Sequence, residues 1–322
     1  MFSDDVFIKN IIKRKHSISE VYFSWGDFPN GRNNQLVHNQ MLPWEAFNKQ
    51  NNDLALLTEN GIPINLLFNA TCYGKESLSR KFFQKIGDTV DYISENYILK
   101  VVTTTSPVIA NFIKSNFNSI EVRASVNLGI GSTEGMMYIS DSFDSFYLKR
   151  EYNRDFKKIK ELKKWCDNNG KKLYALANSG CLNNCSAHMF HDNLVSHESE
   201  IAAMDNGFEF NGICYNFLKN EKNLKLLLDC TGFIRPEDIG FYEEYFDSMK
   251  LATRVNINPL KILDAYIDKK GFNGNMLELL EPNHSSSVYP YILDNKLIDT
   301  FVGESGIKYK NIDKALIKLE GF

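Results

Sequence analysis

The sequence predicts an α/β fold, a (β/α)8 TIM-like barrel, over about residues 18–270. Short runs of β-branched and aromatic residues recur along the chain, and a helical pattern follows each of them. Several of these runs are almost continuously apolar, which is typical of parallel strands that are covered on both faces. The length of 322 residues suffices for one large α/β domain with an appendage.

The predicted strands are the apolar runs that polar or glycine-containing segments separate. They are Val21–Trp25, Ile64–Asn69, Lys100–Thr104, Glu121–Asn127, Ser145–Lys149, Lys172–Asn178, Leu224–Asp229 and Ser248–Arg254.

Two of the connecting helices have recognisable start and stop signals. After the fifth strand, Asp155–Cys166 carries an apolar stripe along one helix face, and Gly170 ends the helix. After the seventh strand, Pro236 occupies a first helical turn, where Glu237 and Asp238 complement the helix dipole.

A doubly wound open sheet is the alternative architecture. The barrel is favoured because no G-x-G-x-x-G follows the first strand and no G-x-x-x-x-G-K-[ST] occurs. From Gly271 onward the strand–helix rhythm breaks. We therefore expect a barrel over residues 1–270, which carries the cysteine site, and a C-terminal extension over residues 271–322. The extension packs on the barrel or contributes to an oligomer interface.

Composition and charge exclude several classes of protein. With 43% hydrophobic and 24% charged residues, the chain is neither disordered nor a coiled coil. Its 37 basic and 40 acidic residues create no global positive field, so nucleic acid is not an expected partner. No apolar run approaches the roughly 18–20 residues of a membrane span, and acidic residues precede the short apolar stretch at the N-terminus. The expected location is the cytoplasm, where thiols stay reduced.

The cysteines predict a metal site. In such barrels the reacting groups lie on the loops that follow the strands. Cys181 and Cys185 lie in the loop after the sixth strand, Cys214 in the same connection, and Cys230 at the end of the seventh strand. Four thiolates that converge on one place are what an iron–sulfur cluster requires. The alternative is that some of these cysteines are buried as small hydrophobic residues.

The other two cysteines carry weaker signals. Cys166 falls on the apolar side of a predicted helix and is expected in the core. Cys72 follows the second strand, and its role stays open.

Histidines follow the first cysteine pair at short spacing. Cys181, Cys185, His188 and His191 form a C-x3-C-x2-H-x2-H pattern that could bind zinc tetrahedrally, and His197 comes next. The first three residues also imitate the C-x3-C-x2-C motif of radical S-adenosylmethionine enzymes, but the histidine argues against that chemistry. The histidines could instead be hydrogen-bonded at a helix start, or move protons beside a cluster.

Polar residues at other predicted strand ends are candidates for substrate contacts. Arg254 could bind a carboxylate or form a salt bridge with Asp229, and Arg235 could bind substrate or brace its loop. The asparagines at strand ends suit loop hydrogen bonds or substrate hydroxyl groups. We assign catalytic roles to Asn178, His188, His191 and Arg254, and substrate-binding roles to Asn69, Asn127, Arg150 and Arg235.

Two segments resemble the peptidase U32 family. The first is Asn178-Ser-Gly-Cys-Leu-Asn-Asn-Cys, followed by His188, His191 and Ser196-His197. The second is Leu228-Asp-Cys-Thr-Gly-Phe-Ile-Arg-Pro-Glu-Asp-Ile-Gly-Phe-Tyr-Glu, running into Met249-Lys-Leu-Ala-Thr-Arg254. Weaker similarity extends the resemblance to about residues 18–260, from Ile64-Asn-Leu-Leu-Phe-Asn through Ala124-Ser-Val-Asn to Asn153-Arg-Asp.

The resemblance implies a barrel in which Cys181, Cys185, Cys214 and Cys230 bind a [4Fe–4S] cluster. Members of the family include oxygen-independent hydroxylases that act on ubiquinone precursors and on tRNA or ribosomal RNA bases, and some members are described as collagenases. The C-x3-C spacing departs from that of several members, and the large C-terminal domain of the RNA-modifying members is missing.

The leading expectation is therefore a cluster-dependent oxidoreductase that modifies a small molecule without molecular oxygen. The cluster would transfer electrons or act as a Lewis acid. One alternative is a metallopeptidase or other hydrolase with a Cys/His metal site, for which Glu198 and Glu200 supply carboxylates although no H-E-x-x-H occurs. Another is a non-catalytic iron–sulfur subunit of a homo- or hetero-oligomer.

Overall fold

A computed structural model describes residues 5–31, 42–268 and 271–319 of the chain. The contacts divide it into two compact units. The first comprises Met1–Leu128, Glu134–Phe146 and Met189–Asn206, and the second comprises Gly129–Thr133, Tyr147–His188 and Gly207–Phe322. The expected boundary near residue 270 and the last three residues lie outside the described ranges.

The strands and helices alternate through most of the chain. The strands are β1 (Val21–Phe23), β2 (Ile64–Phe68), β3 (Leu99–Thr104), β4 (Glu121–Ala124), β5 (Ser145–Tyr147), β6 (Lys172–Leu176), β7 (Met249–Lys250), β8 (Tyr291–Leu293), β9 (Asp299–Gly303), β10 (Gly306–Lys310) and β11 (Leu316–Lys318). The helices are α1 (Asp5–Lys13), α2 (Pro43–Glu59), α3 (Arg80–Asn96), α4 (Pro107–Asn116), α5 (Thr133–Met137), α6 (Phe156–Asn168), α7 (His188–Ser196), α8 (Glu198–Ala202), α9 (Ile213–Leu218), α10 (Glu221–Leu224), α11 (Pro259–Asp268) and α12 (Ile312–Ala315).

Parallel pairing of β1 to β5 forms the core of the first unit. Val21 is opposite Ile64, and Val102 is opposite Val122. All five side chains of β2 are buried, as the continuous apolar run predicts. Side-chain caps start the flanking helices: the Ser79 hydroxyl accepts from the Phe82 N–H before α3, and the Ser106 hydroxyl accepts from the Ile109 N–H before α4.

A buried ion-pair network lies at the amino ends of these strands. Arg123 of β4 is only 2% exposed and contacts two carboxylates, with Nη1 2.7 Å from Glu20 Oε1 and Nη2 2.8 Å from Glu121 Oε1. Its Nε also donates to Ser145 Oγ at 3.2 Å, and Asn65 Nδ2 donates to Glu20 at 2.7 Å. The guanidinium charge is therefore paired and hydrogen-bonded, which is the condition for burying it.

The second unit contains the end of β5, β6 and β7. Leu148 N donates to Tyr174 O at 2.7 Å, and Ala175 is opposite Met249 in a parallel pair. The helix α6 begins at a side-chain cap, because Asp155 Oδ1 accepts from the Lys158 N–H at 3.0 Å. This confirms the helix predicted from the apolar stripe. Residues 271–319 contribute two antiparallel pairs, β9 with β10 and β8 with β11.

The closed eight-stranded barrel is a wrong prediction, although the α/β class and the alternation of strands and helices are confirmed. Among the described residues the parallel sheet has seven strands, in the order β1-β2-β3-β4-β5-β6-β7. The predicted strand Leu224–Asp229 consists of the end of α10 and turns, in which Asp229 N and Cys230 N both donate to Leu226 O. Leu227 and Leu228 are buried whereas Leu226 is exposed. That spacing is helical, and a short apolar run does not distinguish a buried strand from a helical turn.

Two further expectations are corrected in detail. The segment after the predicted seventh strand forms a 3-10 helix over Pro236–Tyr242 rather than an α-helix. The predicted strand Ser248–Arg254 shortens to the two residues of β7. Within the described ranges, no helix combines the length and apolar character that crossing a bilayer requires.

Candidate cysteine site

All four cysteines of the predicted metal site lie in the second unit, and none forms a disulfide. Burial raises the pKa of the Cys214 thiol, and the negative charges of Cys181 and Cys185 raise it further. The Cys214 thiol therefore interacts electrostatically with both of the other cysteines.

The fourth cysteine lies on a segment that pairs with the Cys181–Cys185 loop. Asn183 N donates to Cys230 O at 2.6 Å, and Leu182 and Thr231 form an isolated antiparallel bridge. Burial, and then the charge of Asp229, raise the pKa of the Cys230 thiol. The backbone thus places Cys230 directly against the loop of the first two cysteines.

The cysteine side chains do not yet form a coordination shell. Within residues 5–31, 42–268 and 271–319, no three His, Cys, Asp or Glu side chains stand close enough to hold one metal ion. The thiols would have to turn toward a common centre to bind a shared group.

A buried arginine joins the first cysteine to the first histidine. Arg150 Nη1 donates to Cys181 Sγ at 3.5 Å and to His188 Nε2 at 2.9 Å. Because Nε2 accepts this hydrogen bond, the proton of a neutral His188 ring is on Nδ1. Arg150 is 5% exposed, so its positive charge attracts a negatively charged sulfur with little screening by water.

Two neighbouring residues fix the segment that carries Cys230. Asn153 Nδ2 donates to Leu176 O at 2.7 Å and to Gly232 O at 2.8 Å. Arg154 Nη2 donates to Thr231 O at 2.6 Å and to Leu228 O. Gly232 is required there, since a Cβ atom at this position would overlap the carbonyl oxygen of Arg150.

A segment more than ninety residues later in the chain braces the loop before Cys181. Ser179 and Glu281 form a parallel bridge, and Gly180 N donates to Glu281 O at 2.8 Å. His284, which is buried, donates from Nε2 to Gly180 O at 2.8 Å. Gly180 also has no room for a side chain, because its Cβ would lie 2.6 Å from Pro282 O. Residues 281–284 therefore fix the approach to the first cysteine.

Replacing His284 by leucine should weaken this brace. The variant leaves the buried Gly180 carbonyl without its donor, which costs about 1–3 kcal/mol of unfolding free energy. We also expect faster release of bound metal to a chelator, because the loop before Cys181 loosens. Urea denaturation and chelator kinetics measure the two effects. His284→Gln retains an N–H donor, so its unfolding free energy and its rate of metal release should lie between those of the wild type and of His284→Leu. Wild-type stability and wild-type metal release in His284→Leu would contradict the bracing role.

Three predicted site residues of the second unit are placed by their contacts. The Asn178 side chain donates to Ala252 O and Leu279 O and accepts from the Ala252 N–H. Arg235 donates to Asn295 and Thr300 and pairs with Glu237. These contacts brace the loops, and the catalytic role of Asn178 and the substrate-binding role of Arg235 stay predictions. Arg254 lies half-buried in the loop after β7.

The remaining predicted residues belong to the first unit. Asn69 Oδ1 accepts from the Gly31 N–H at 3.1 Å, and Asn127 Nδ2 donates to Asn69 O at 3.2 Å. These two asparagines thus hold loops together after β2 and β4. His191 lies in α7, and His197 pairs with Glu200 at 3.3 Å.

The two other cysteines differ in burial. Cys166 in α6 is fully buried, and burial raises the pKa of its thiol to about 12. This confirms its predicted place in the core. Cys72 is half-exposed in the first unit.

Sequence comparison supplies a curated relative. No family profile matches the chain. An uncharacterized protease of Methanocaldococcus jannaschii is 27% identical over 246 residues, which cover 75% of this chain and 70% of that protein. A solved structure of a U32 peptidase matches 60% of this chain and 74% of its own length, with 13% identity and a TM-score of 0.49. The chain is thus similar in sequence to a protein that is named as a protease.

The segments that resemble the U32 family are those that carry the cysteines, but the motifs do not include every residue that positions them. Sequence reasoning missed Arg154 and His284. The sequence holds a weak signal for each. Arg154 belongs to Asn153-Arg-Asp, in the weaker part of the U32 resemblance, and His284 belongs to Glu281-Pro-Asn-His, which interrupts the alternation of strands and helices. Neither signal indicates the partner, which is a backbone carbonyl far away in the sequence.

Proposed function

We propose that the chain is an iron–sulfur enzyme that modifies a small molecule without molecular oxygen, by redox or Lewis-acid chemistry. The observation that carries this proposal is the placement of four thiols on braced segments of one unit, with a buried guanidinium beside Cys181. Thiolates are the usual ligands of such clusters, and each iron of a cubane takes one. The ligands would be Cys181, Cys185, Cys214 and Cys230.

The surroundings of the cysteines suit a bound group that has polar atoms. Three buried polar atoms, Ser179 Oγ, Asn183 Oδ1 and Thr231 Oγ1, have no hydrogen-bond partner among the described residues. Each belongs to a residue within two positions of Cys181, Cys185 or Cys230. Buried polar atoms normally have partners, so a bound group with polar or charged atoms is a suitable one. The two hydroxyl groups could donate to the sulfur atoms of an iron–sulfur cluster, whereas Asn183 Oδ1 accepts only and would need a donor from a substrate.

When bound, the group would supply an electron or an electrophilic iron. Residues of the chain would place a positive charge and a transferable proton beside this group. Arg150 holds a positive charge next to Cys181 and offers a guanidinium that can pair with a substrate carboxylate. His188 accepts from Arg150 at Nε2, so its Nδ1–H is the proton that it can give to a substrate atom.

Hydrolysis is the second candidate, because the archaeal relative is named as a protease. A zinc peptidase needs three protein ligands with an open position for water. His188 is poorly suited as one of them, since a ring nitrogen that accepts a hydrogen bond from Arg150 does not bind zinc at the same time. The non-catalytic alternative, an iron–sulfur subunit of a larger oligomer, predicts a partner chain that purifies with this one.

Metal analysis of protein purified under argon distinguishes the iron–sulfur enzyme from the zinc hydrolase. The proposal predicts a brown protein with broad absorption near about 400 nm, iron and acid-labile sulfide, and no turnover of unstructured peptides. A colourless protein with about one zinc per chain and peptidase activity would replace the proposal by the hydrolase. A control with His188→Ala should abolish that peptidase activity if the histidine is a zinc ligand.

A further inference from the structure

A groove of about 550 Å³ in the second unit is lined by aromatic and acidic side chains. It lies between the start of α6, the end of the 3-10 helix Pro236–Tyr242 with the turn that follows it, and the turn that joins β9 to β10. None of the four cysteines belongs to its lining. A groove of this volume is large enough to hold a side chain of another molecule.

Backbone hydrogen bonds hold two walls of this groove together. Phe156 N donates to Ser305 O at 3.2 Å, and Ile307 N donates to Arg154 O at 3.0 Å. The turn between β9 and β10 is thereby fixed against the start of α6. Because the groove exists before a ligand arrives, little ordering of the protein opposes binding.

Aromatic rings form the inner part of the groove. Phe156 and Tyr245 are buried, and their ring centroids are 5.8 Å apart. Phe241 and Val302, which also line the groove, are 46% and 39% exposed, so the apolar surface continues out to solvent. Covering such surface favours a ligand that has an apolar portion.

The charged groups of the groove are mostly negative. Glu243, Glu244 and Glu304 line it, against one basic residue, Lys160. Burial, and then a hydrogen bond to Glu244, raise the pKa of Tyr245 to about 12. The tyrosine hydroxyl therefore stays protonated at neutral pH and holds this carboxylate beside the ring. The excess of carboxylates favours a positively charged ligand.

A cation of the chain already lies over one of the rings. Lys160 Nζ is 5.8 Å from the centroid of the Tyr245 ring. The negative face of an aromatic ring attracts a cation at this distance. Lysine and arginine side chains of a ligand carry the same kind of charge on an apolar stem, which suits the rings and the carboxylates together.

We propose that this groove binds a lysine or arginine side chain from an extended segment of a partner protein. The carboxylates select the positive charge, and the rings contact the apolar stem. Gly240 and Gly303 present backbone without side chains in the lining, so the main chain of the partner has room to approach. The inference goes beyond the proposed function and does not depend on the cysteines.

Ligand-observed NMR titrations of the full chain with two five-residue peptides test the proposal. One peptide has arginine between alanines, and the other has citrulline, which is similar in shape but uncharged. We expect the arginine peptide to bind about tenfold more tightly, because the citrulline peptide loses the ion pairs and the cation–π contact. Added salt should weaken binding of the arginine peptide. Free arginine amide, which lacks the flanking main chain, should bind more weakly than the peptide.

Variants of the lining identify the groove as the binding site. Glu244→Gln combined with Glu304→Gln should weaken binding of the arginine peptide by about tenfold. Lys160→Met should strengthen it by about threefold, because the variant removes a competing cation. Glu161→Gln is the matched control: it removes a carboxylate of α6 that pairs with Lys158 and does not line the groove, so affinity should stay at the wild-type value.

Three results would overturn the inference. They are no binding of the arginine peptide at about 1 mM, equal affinity for the citrulline peptide, and wild-type affinity in the double glutamate variant. Equal affinity for free arginine amide would also overturn it, since the groove would then bind a small organic cation rather than a peptide. A protein that lacks iron but binds the arginine peptide as expected would contradict the proposed function and leave this inference intact.

Discussion

Replacing any one of Cys181, Cys185, Cys214 and Cys230 by alanine is expected to remove most of the iron and the activity. An incompletely ligated cubane is labile, since one iron loses its thiolate and exchanges with solvent. The loss should be similar for all four positions, because each of the four thiols is proposed to bind one iron of the cluster. Iron and sulfide per chain, measured under argon for each variant, check this result.

The remaining two cysteines are the matched controls. Cys166→Ala removes a thiol from the core and should keep the iron, at a cost of about 1 kcal/mol of unfolding free energy. Cys72→Ala should also keep the iron, because Cys72 is not one of the four proposed ligands. If Cys72→Ala lost its iron and Cys214→Ala retained it, the ligand set would be wrong. If all six variants retained their iron, the metal would bind elsewhere.

Arg123→Ala is expected to destabilise the protein by about 3–5 kcal/mol, the cost of breaking a buried ion pair from one side. The variant leaves Glu20 and Glu121, which both contact the guanidinium, without a buried positive charge. It also removes the donor to Ser145 Oγ. Urea denaturation followed by circular dichroism measures the loss as a lower midpoint with an unchanged slope.

A variant that removes the whole network provides the control for Arg123. Arg123→Met combined with Glu20→Gln and Glu121→Gln leaves no unpaired charge, so it should recover a large part of the lost stability. The folded fraction of Arg123→Ala should still bind iron, since none of these residues is a proposed ligand. A stability equal to wild type in Arg123→Ala would show that the network does not stabilise the first unit.

The starts of the first six strands could be predicted within one residue, because each begins an apolar run that follows polar or turn residues. For β2 the reason is visible in burial, since every side chain of Ile64–Phe68 is buried. The same criterion failed at Leu224–Asp229, where the run has the burial pattern of a helical turn. Without that strand the parallel sheet of the described residues has seven strands, one fewer than the predicted closed barrel requires.

The four cysteines could be selected as candidates from the sequence, because cysteine is rare and these four lie within a short stretch of the chain. The loop contacts of Asn178 and Arg235 could not be predicted, because their partners are distant in the sequence. Arg235 binds Asn295, sixty positions later, and Asn178 binds Leu279. An arginine or asparagine at a strand end has the same sequence pattern whether it contacts a substrate or a backbone carbonyl, and only the fold distinguishes the two cases.

Mössbauer spectroscopy of wild-type protein, grown on 57Fe and purified under argon, tests the central claim most directly. The claim is that the four cysteines of the second unit bind one [4Fe–4S] cluster. We expect nearly all of the iron in the spectrum of a four-iron cluster, with about four iron and four sulfide per chain. A spectrum of isolated iron ions, or of a two-iron cluster, or a protein that contains zinc and no iron, would contradict it.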